Sequence, residues 1–285
     1  MKRRLLLALA VLLALTLLAG AVAEFELGDE ARVVNCNEYV TLREEASTSA
    51  SALARVSLGT ELVCLSDDGG EFVHVWTDGW QGYVLRRYLE NVTTYGTAVE
   101  LTDAQRADMN LFLSNFTETN LSAYCDGVFD MAYADSTVMV EFAADHIWFN
   151  QNSKVEWGEY ANENNVRLAT EFINPVLQKY FGTTVNDMHA MYLELDGEYL
   201  YWQETGGHVP YGFASVTSVE DAGDGFYRVY FDVYGEGEDW SNDVMKLTGS
   251  QASEMYQRSS KRGFALVTAS DLNDRASYRL VRFVY

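Results

Sequence analysis

Phe72-Val73-His74-Val75-Trp76-Thr77-Asp78-Gly79-Trp80-Gln81-Gly82-Tyr83-Val84-Leu85 consists of two strand-like runs on either side of Asp78-Gly79. Asp-Gly between alternating apolar runs is a strong hairpin signal, because both residues accept the positive φ that a two-residue reversal needs. Alternation puts Val73 and Val75 on one face and Phe72, His74 and Trp76 on the other. Trp76 is therefore expected to point outward, with Trp80 near it across the turn and Tyr83 and Tyr39 alongside. Two readings of these four aromatic residues stand: a stacking platform for a ligand, or rings that bury themselves against the C-terminal domain.

Working outward from the hairpin, short apolar runs broken by turn residues fill the segment from Ala31 to Glu90. Strands are expected near Ala31–Cys36, Tyr39–Arg43, Ala52–Val56, Glu61–Leu65, Phe72–Thr77 and Gln81–Leu85, with further turns at Gly59-Thr60 and Asp68-Gly69-Gly70. That spacing is the grammar of a small all-β barrel. Cys36 and Cys64 both fall inside it, and either form a disulfide that would stabilise the module by roughly 3–4 kcal/mol or stay as two small buried thiols.

Several pieces of this segment carry a recognisable order. Tyr39-Val40-Thr41-Leu42-Arg43, Leu58-Gly59-Thr60-Glu61-Leu62, Gly70-Glu71-Phe72-Val73, Gly79-Trp80-Gln81-Gly82-Tyr83-Val84 and Tyr88-Leu89 together resemble the bacterial SH3-like domain over residues 31–90. The chain departs from that pattern at Arg43-Glu44-Glu45-Ala46, where the family commonly has Arg-Ser-Gly-Pro. The resemblance implies a small β-barrel that, in exported bacterial proteins, often binds peptidoglycan or another wall polymer. The candidate ligand-binding residues are the aromatic group Tyr39, Trp76, Trp80 and Tyr83, although the family pattern usually has polar residues where Trp76 and Trp80 stand.

Ahead of this module, residues 1–23 divide into a cationic start (Lys2, Arg3, Arg4), an apolar run from Leu5 to Leu18 and a small-residue end at Ala21-Val22-Ala23. This is the grammar of a cleaved secretory signal peptide, and the apolar run is too short for a stable membrane span. The expected location is extracellular, secreted or wall-associated, with no membrane span after cleavage. A total of 42 acidic against 20 basic residues, a net charge of −22, repels phosphate backbones, so nucleic acid is not an expected partner. The expected partner is a cell-wall polymer, or another extracellular peptide or glycan.

Residues 91–97 are polar and aperiodic and read as a linker, after which the pattern turns helical. Thr102 with Gln105 fits a capping box ahead of Met109, Phe112, Leu113 and Phe116. Ser136 is placed to cap a second helix with Met139, Phe142, Ala143 and Ile147 inward. A third is expected from about Asn165 to Phe181, kinked at Pro175 and stopped by Gly182. Strands follow at Met191–Leu195, Glu198–Trp202, Phe213–Glu220, Phe226–Tyr234, Phe264–Ala269 and Tyr278–Val284, with turns at Asp196-Gly197 and Asp224-Gly225. Helices first and strands after predict an α+β domain over 98–285, helices packed on one face of an antiparallel sheet. The chain as a whole is then mostly β plus α+β. Asp145-His146-Ile147-Trp148-Phe149-Asn150 resembles the C-terminal half of other exported SH3-bearing proteins of Gram-positive bacteria, a similarity that carries no activity.

Catalytic chemistry has little support. The four histidines stand apart, no H-E-x-x-H, P-loop or dinucleotide fingerprint occurs, and no cofactor or metal is expected. Tyr124-Cys125-Asp126-Gly127 with Gly207-His208-Val209 only faintly imitates a wall-cleaving cysteine peptidase, and an adjacent carboxylate disfavours the thiolate. Glu156, Glu159 and Glu163 are the candidates for glycan hydrolysis, and Glu236, Glu238, Asp239, Asn242 and Asp243 for calcium, although a solvated acidic surface explains both groups. The expectation is a two-domain binding protein without catalysis; the alternative is a wall hydrolase whose site lies in the C-terminal domain.

Overall fold

The computed structural model describes residues 25–205, 212–235, 247, 249–256 and 261–285. The chain forms two compact units, one ending at Thr93 and the other running from Thr94 to Tyr285. It is of α+β class: every strand pairing is antiparallel, and four α-helices, all in the C-terminal unit, occur among the described residues. The signal-like segment, His208 and the acidic loop at 236–243 lie outside the described residues.

The N-terminal unit comprises β1 (Glu30–Val33), β2 (Tyr39–Arg43), β3 (Ala52–Ser57), β4 (Glu61–Ser66), β5 (Phe72–Thr77), β6 (Trp80–Leu85) and β7 (Leu89–Asn91). They form one sheet in the order β3-β2-β6-β5-β4-β1-β7. The two end strands are not joined to each other, so the expected barrel is an open sheet. One face of that sheet nevertheless wraps a single core, to which Val33, Leu42, Val56, Leu62, Val73 and Val84 contribute from six different strands. Asp78 and Gly79 both have positive φ, 47° and 79°, and Thr77 pairs with Trp80, which is the two-residue reversal the sequence calls for.

In the C-terminal unit α1 (Asp103–Glu118) begins with the expected capping box. Thr102 N donates to Gln105 Oε1 at 2.9 Å, and Gln105 N donates to Thr102 Oγ1 at 3.3 Å. α2 (Ser136–Asn150) is capped by Asp135 rather than Ser136, and Asp135 Oδ1 accepts from Thr137 N at 2.8 Å. The third helix differs from expectation. Val166–Ala169 is a strand with alternating burial, and α3 spans only Ile173–Phe181. Pro175 is the third residue of α3, inside the first turn, where a backbone N–H has no intrahelical acceptor, so it starts a helix instead of kinking one. Gly182 ends it at φ 71° as expected. The fourth helix, α4, spans Gly249–Tyr256.

Short strands β8 (Thr97–Ala98) and β9 (Val128–Asp130) join β14 (Phe213–Gly223), β15 (Phe226–Tyr234), β16 (Lys261–Thr268) and β17 (Arg279–Val284) in a six-stranded sheet ordered β8-β14-β15-β16-β17-β9. A smaller sheet, β10-β11-β13-β12, holds Val155–Trp157, Val166–Ala169, Tyr199–Trp202 and Glu194–Asp196 in that order. Its hairpin turns at Gly197-Glu198, one residue later than expected, since Asp196 pairs with Tyr199. Phe112, Phe116, Phe142, Tyr180, Phe181 and Phe283 bring the first three helices and the large sheet into one core.

β14 pairs with β8 only at Glu220 and Asp221, which leaves its first half without a neighbouring strand on that side among the described residues. α1 covers it with polar side chains. Asn110 Oδ1 accepts from Val216 N at 2.8 Å, Ser114 Oγ accepts from Ala214 N at 2.9 Å, and Thr117 Oγ1 donates to Gly212 O at 2.8 Å. Spacings of four and three put these residues on one helical face, so a buried polar stripe satisfies backbone groups that would otherwise be orphaned.

Candidate functional site

The outer face of β2 carries Tyr39, Thr41 and Arg43, because Val40 and Leu42 alternate inward to the core. Its foot opens into a groove of about 690 Å³ lined by Asn35, Asn37, Tyr39, Arg43, Arg87 and Tyr88 among others. Asn35, at φ 56°, turns the chain at the end of β1, and its Nδ2 donates to Arg87 O at 3.2 Å. Val34 N donates to Tyr88 O at 2.8 Å, so the two walls of the groove are tied by backbone and amide bonds. Each tyrosine is paired with a guanidinium: Arg55 lies 4.5 Å from the Tyr39 ring centroid and Arg87 4.9 Å from that of Tyr88. Arg43 NH1 donates to Ala50 O at 2.8 Å, which closes the loop after β2. Planar rings, amides and guanidinium donors around a groove form a surface suited to a polar, ring-bearing or extended ligand.

The four expected ligand-binding residues do not form one cluster. Tyr39 lines the groove and is 40% exposed. Tyr83 is opposite Arg43 and His74 in the sheet and stacks on His74 at 4.6 Å with an 18° interplanar angle. Trp76 is buried, at 4% exposure, which overturns the expectation that it points into solvent. Trp80 is 53% exposed but lies on the other face of the hairpin. The two-residue turn is the cause: it pairs Thr77 with Trp80 and Trp76 with Gln81, so Trp80 takes the side of Thr77, Val75 and Val73.

Cys36 and Cys64 are free thiols, Cys64 buried and Cys36 partly buried, so of the two readings the bridge is the one not formed. Cys64 sits opposite Asp29, where Cys64 N donates to Asp29 O at 2.8 Å. From there the chain runs the length of β1 before reaching Cys36. Four extended residues alone cover about 13 Å, against the ~7 Å limit between bridged Cα atoms. Burial, then the charges of Asp67 and Asp29, push the Cys64 thiol up to about 12. Cys125, the candidate nucleophile, ends a 3-10 turn (Leu121–Cys125), and burial followed by Asp126 and Asp135 pushes it up to about 12 as well. Neither is a thiolate at neutral pH, and Cys125 has no electrostatic activation. Glu156 is held by Arg167, whose Nε reaches Oε2 at 2.9 Å, while Glu159 and Glu163 are exposed.

No family model matches the chain, and no curated protein does. Among solved structures, NlpC2 from Trichomonas vaginalis is similar over 72% of this chain and 64% of its own length, with 12% identity and a TM-score of 0.21. Among the described residues no helix is long and apolar enough to cross a membrane, and no group of three or more His, Cys, Asp or Glu is placed to hold a metal ion.

One partly buried acid of the C-terminal unit stands out. Asp145, on α2, accepts from Tyr124 Oη at 2.8 Å. Burial pushes its pKa up to about 7; the Tyr124 hydrogen bond pulls it back, and Glu141 adds to the rise. A carboxyl whose folded pKa exceeds its unfolded value of about 3.9 costs stability that sets in as pH rises from ~4 and is complete above ~7. Asp145→Asn keeps an acceptor for Tyr124 and removes the charge. It is expected to raise the unfolding free energy by about 1–3 kcal/mol at pH 8 and leave it unchanged near pH 3, as read by urea denaturation. An equal effect at both pH values would refute the assignment.

The groove residues Asn35, Arg43, Arg87 and Tyr88 were not singled out from the sequence. Arg87-Tyr88 lies beyond the last expected strand, Gln81–Leu85, and nothing local says that it packs against Asn35, 52 residues earlier.

Proposed function

We propose that the protein is exported and that its N-terminal unit is a non-catalytic recognition module for a cell-wall glycan or peptide, held in the groove of Tyr39, Arg43, Arg87 and Tyr88. The observation that carries the reading is the groove itself, with two tyrosines each backed by an arginine and flanked by side-chain amides. The signal-like residues 1–23 and the resemblance of residues 31–90 to wall-associated bacterial domains support the location and the ligand class. A chain of net charge −22 gains no electrostatic retention on an anionic wall, so attachment rests on specific contacts.

The test is co-sedimentation of the chain lacking residues 1–23 with washed peptidoglycan sacculi at low and high salt. Retention is expected to survive high salt, with no soluble fragments released. Tyr39→Ala combined with Arg87→Gln, both at exposed positions, is expected to weaken it about tenfold or more, the effect of losing contacts worth ~1.4 kcal/mol. Undiminished retention of that variant would remove the groove from the account, and fragment release would replace recognition with hydrolysis.

A further inference from the structure

A second concavity, of about 580 Å³, lies in the C-terminal unit among residues of α1, α2 and α3. Its polar lining is made of amides, a hydroxyl, an imidazole and cations. His146, on α2, is 2% exposed and lines it. Asn150 Nδ2 lies 2.9 Å from Glu118 Oε2 and 3.2 Å from His146 Nδ1. A carboxylate accepts, so that nitrogen is the amide donor, and its second proton is directed to Nδ1. Burial, with Lys179 and Lys154 nearby, lowers the imidazole pKa to about 3, so the ring is neutral at physiological pH. A neutral ring that accepts at Nδ1 carries its proton on Nε2. Among the described residues Nε2–H has no hydrogen-bond acceptor.

The rim adds three cations, Lys154, Lys179 and Arg275, and among the described residues no acidic side chain lines the concavity. That runs against a composition of 42 acidic and 20 basic residues. Lys154 and Lys179 have no carboxylate within ion-pair distance among the described residues, whereas Arg275 NH1 is 3.1 Å from Asp108 Oδ1. Lys179 Nζ donates to Tyr180 Oη at 2.9 Å, and that hydroxyl donates to Asn115 Oδ1 at 3.0 Å. The chain of bonds orients the hydroxyl proton toward the amide and leaves the remaining ammonium protons of Lys179 for another acceptor. Leu111, Phe112, Pro175 and Val176 supply apolar wall beside these donors.

We propose that this concavity is a binding site for a small organic anion, a carboxylate or phosphate group on an apolar stem. The charged head meets Lys154, Lys179 and the His146 Nε2–H, and the stem lies along Phe112 and Val176. The site is separate from the wall-binding groove and stands or falls independently of it.

Isothermal titration of the chain lacking residues 1–23 with hexanoate and with phenyl phosphate tests the proposal, with acetate and inorganic phosphate as stemless controls. At least one stemmed anion is expected to bind saturably with a Kd below about 1 mM and at least tenfold more tightly than its control, and whichever stemmed probe binds better identifies the head group. The double variant Lys154→Gln/Lys179→Gln alters rim residues outside the core, so its fold is expected to persist in circular dichroism. Its affinity for the better probe should fall about tenfold, the combined effect of two charge-assisted contacts. Its retention on sacculi should be unchanged. Absence of saturable heat with both stemmed probes, or equal affinity in the double variant, would overturn the proposal.

Discussion

Arg86→Met is expected to unfold the N-terminal unit under conditions in which the parent is stable. Arg86 follows β6, and its guanidinium forms a two-point ion pair with Asp67, their side chains 6% and 2% exposed. Nε also donates to Gly70 O at 2.8 Å. Asp67 Oδ2 accepts from Phe25 N at 3.0 Å and Oδ1 from Gly69 N at 2.8 Å, so one carboxylate fixes the start of the unit and the loop before β5. Removing the cation leaves that carboxylate buried without its counter-charge, a change that costs about 3–5 kcal/mol, comparable to the whole stability of a domain this small. The exposed pair Arg32–Glu61, with side chains 43% and 58% exposed, is the control, and Arg32→Met should change stability by no more than about 1 kcal/mol. Urea unfolding followed by amide exchange in β4–β6 reads both.

The same pair sets an acid limit. Burial, the largest single influence on Asp67, pushes its pKa up, but the Arg86 hydrogen bond, the Gly69 and Phe25 N–H groups and the Arg86 charge together hold it below the ordinary carboxylate value. A depressed folded pKa contributes stability that is present above the unfolded value of about 3.9 and lost as pH falls through the folded value. The N-terminal unit of the parent should therefore lose stability below pH ~4.

Gly82→Ala is the second change with a large expected effect. A Cβ at position 82 would stand 2.6 Å from Arg43 O, 3.0 Å from Leu42 Cγ and 3.1 Å from Leu53 Cδ1. The first of these atoms is backbone, and it belongs to the single residue pair, Arg43 with Tyr83, that joins β2 to β6. A methyl group cannot enter without parting the seam, so the expected loss is about 1–3 kcal/mol together with displacement of Arg43 at the groove. Gly249→Ala, where nothing among the described residues lies within 4 Å, should leave the N-terminal unit untouched. Equal stability of the Gly82 variant and the parent would show that the two strands are not held at this separation.

How much of this was legible depends on the range of the signal. The β5–β6 hairpin was legible because Asp78-Gly79 and the flanking alternation act locally, and so was the start of α1, where Thr102 and Gln105 carry the whole cap. The strand at Val166–Ala169 was absorbed into a helix because Val166, Ala169, Ile173 and Val176 also fit a helical stripe; its partners, Trp157 and Trp202 across Val166, lie up to 36 residues away. The aromatic platform failed in one respect that the sequence could have settled. A two-residue turn forces Trp80 opposite Thr77, and that register already places the indoles on different faces. The groove and the anion site were not legible, because Asn35 with Arg87, and His146 with Lys179, meet only through tertiary packing.

The central claim is that ligand recognition lies at the foot of β2. Amide chemical-shift mapping of the chain lacking residues 1–23, titrated with soluble peptidoglycan fragments, tests it most directly. The account predicts saturable shifts concentrated in residues 35–43 and 85–88, with the C-terminal unit silent. Shifts confined to the C-terminal unit, or none at any fragment concentration, would contradict it.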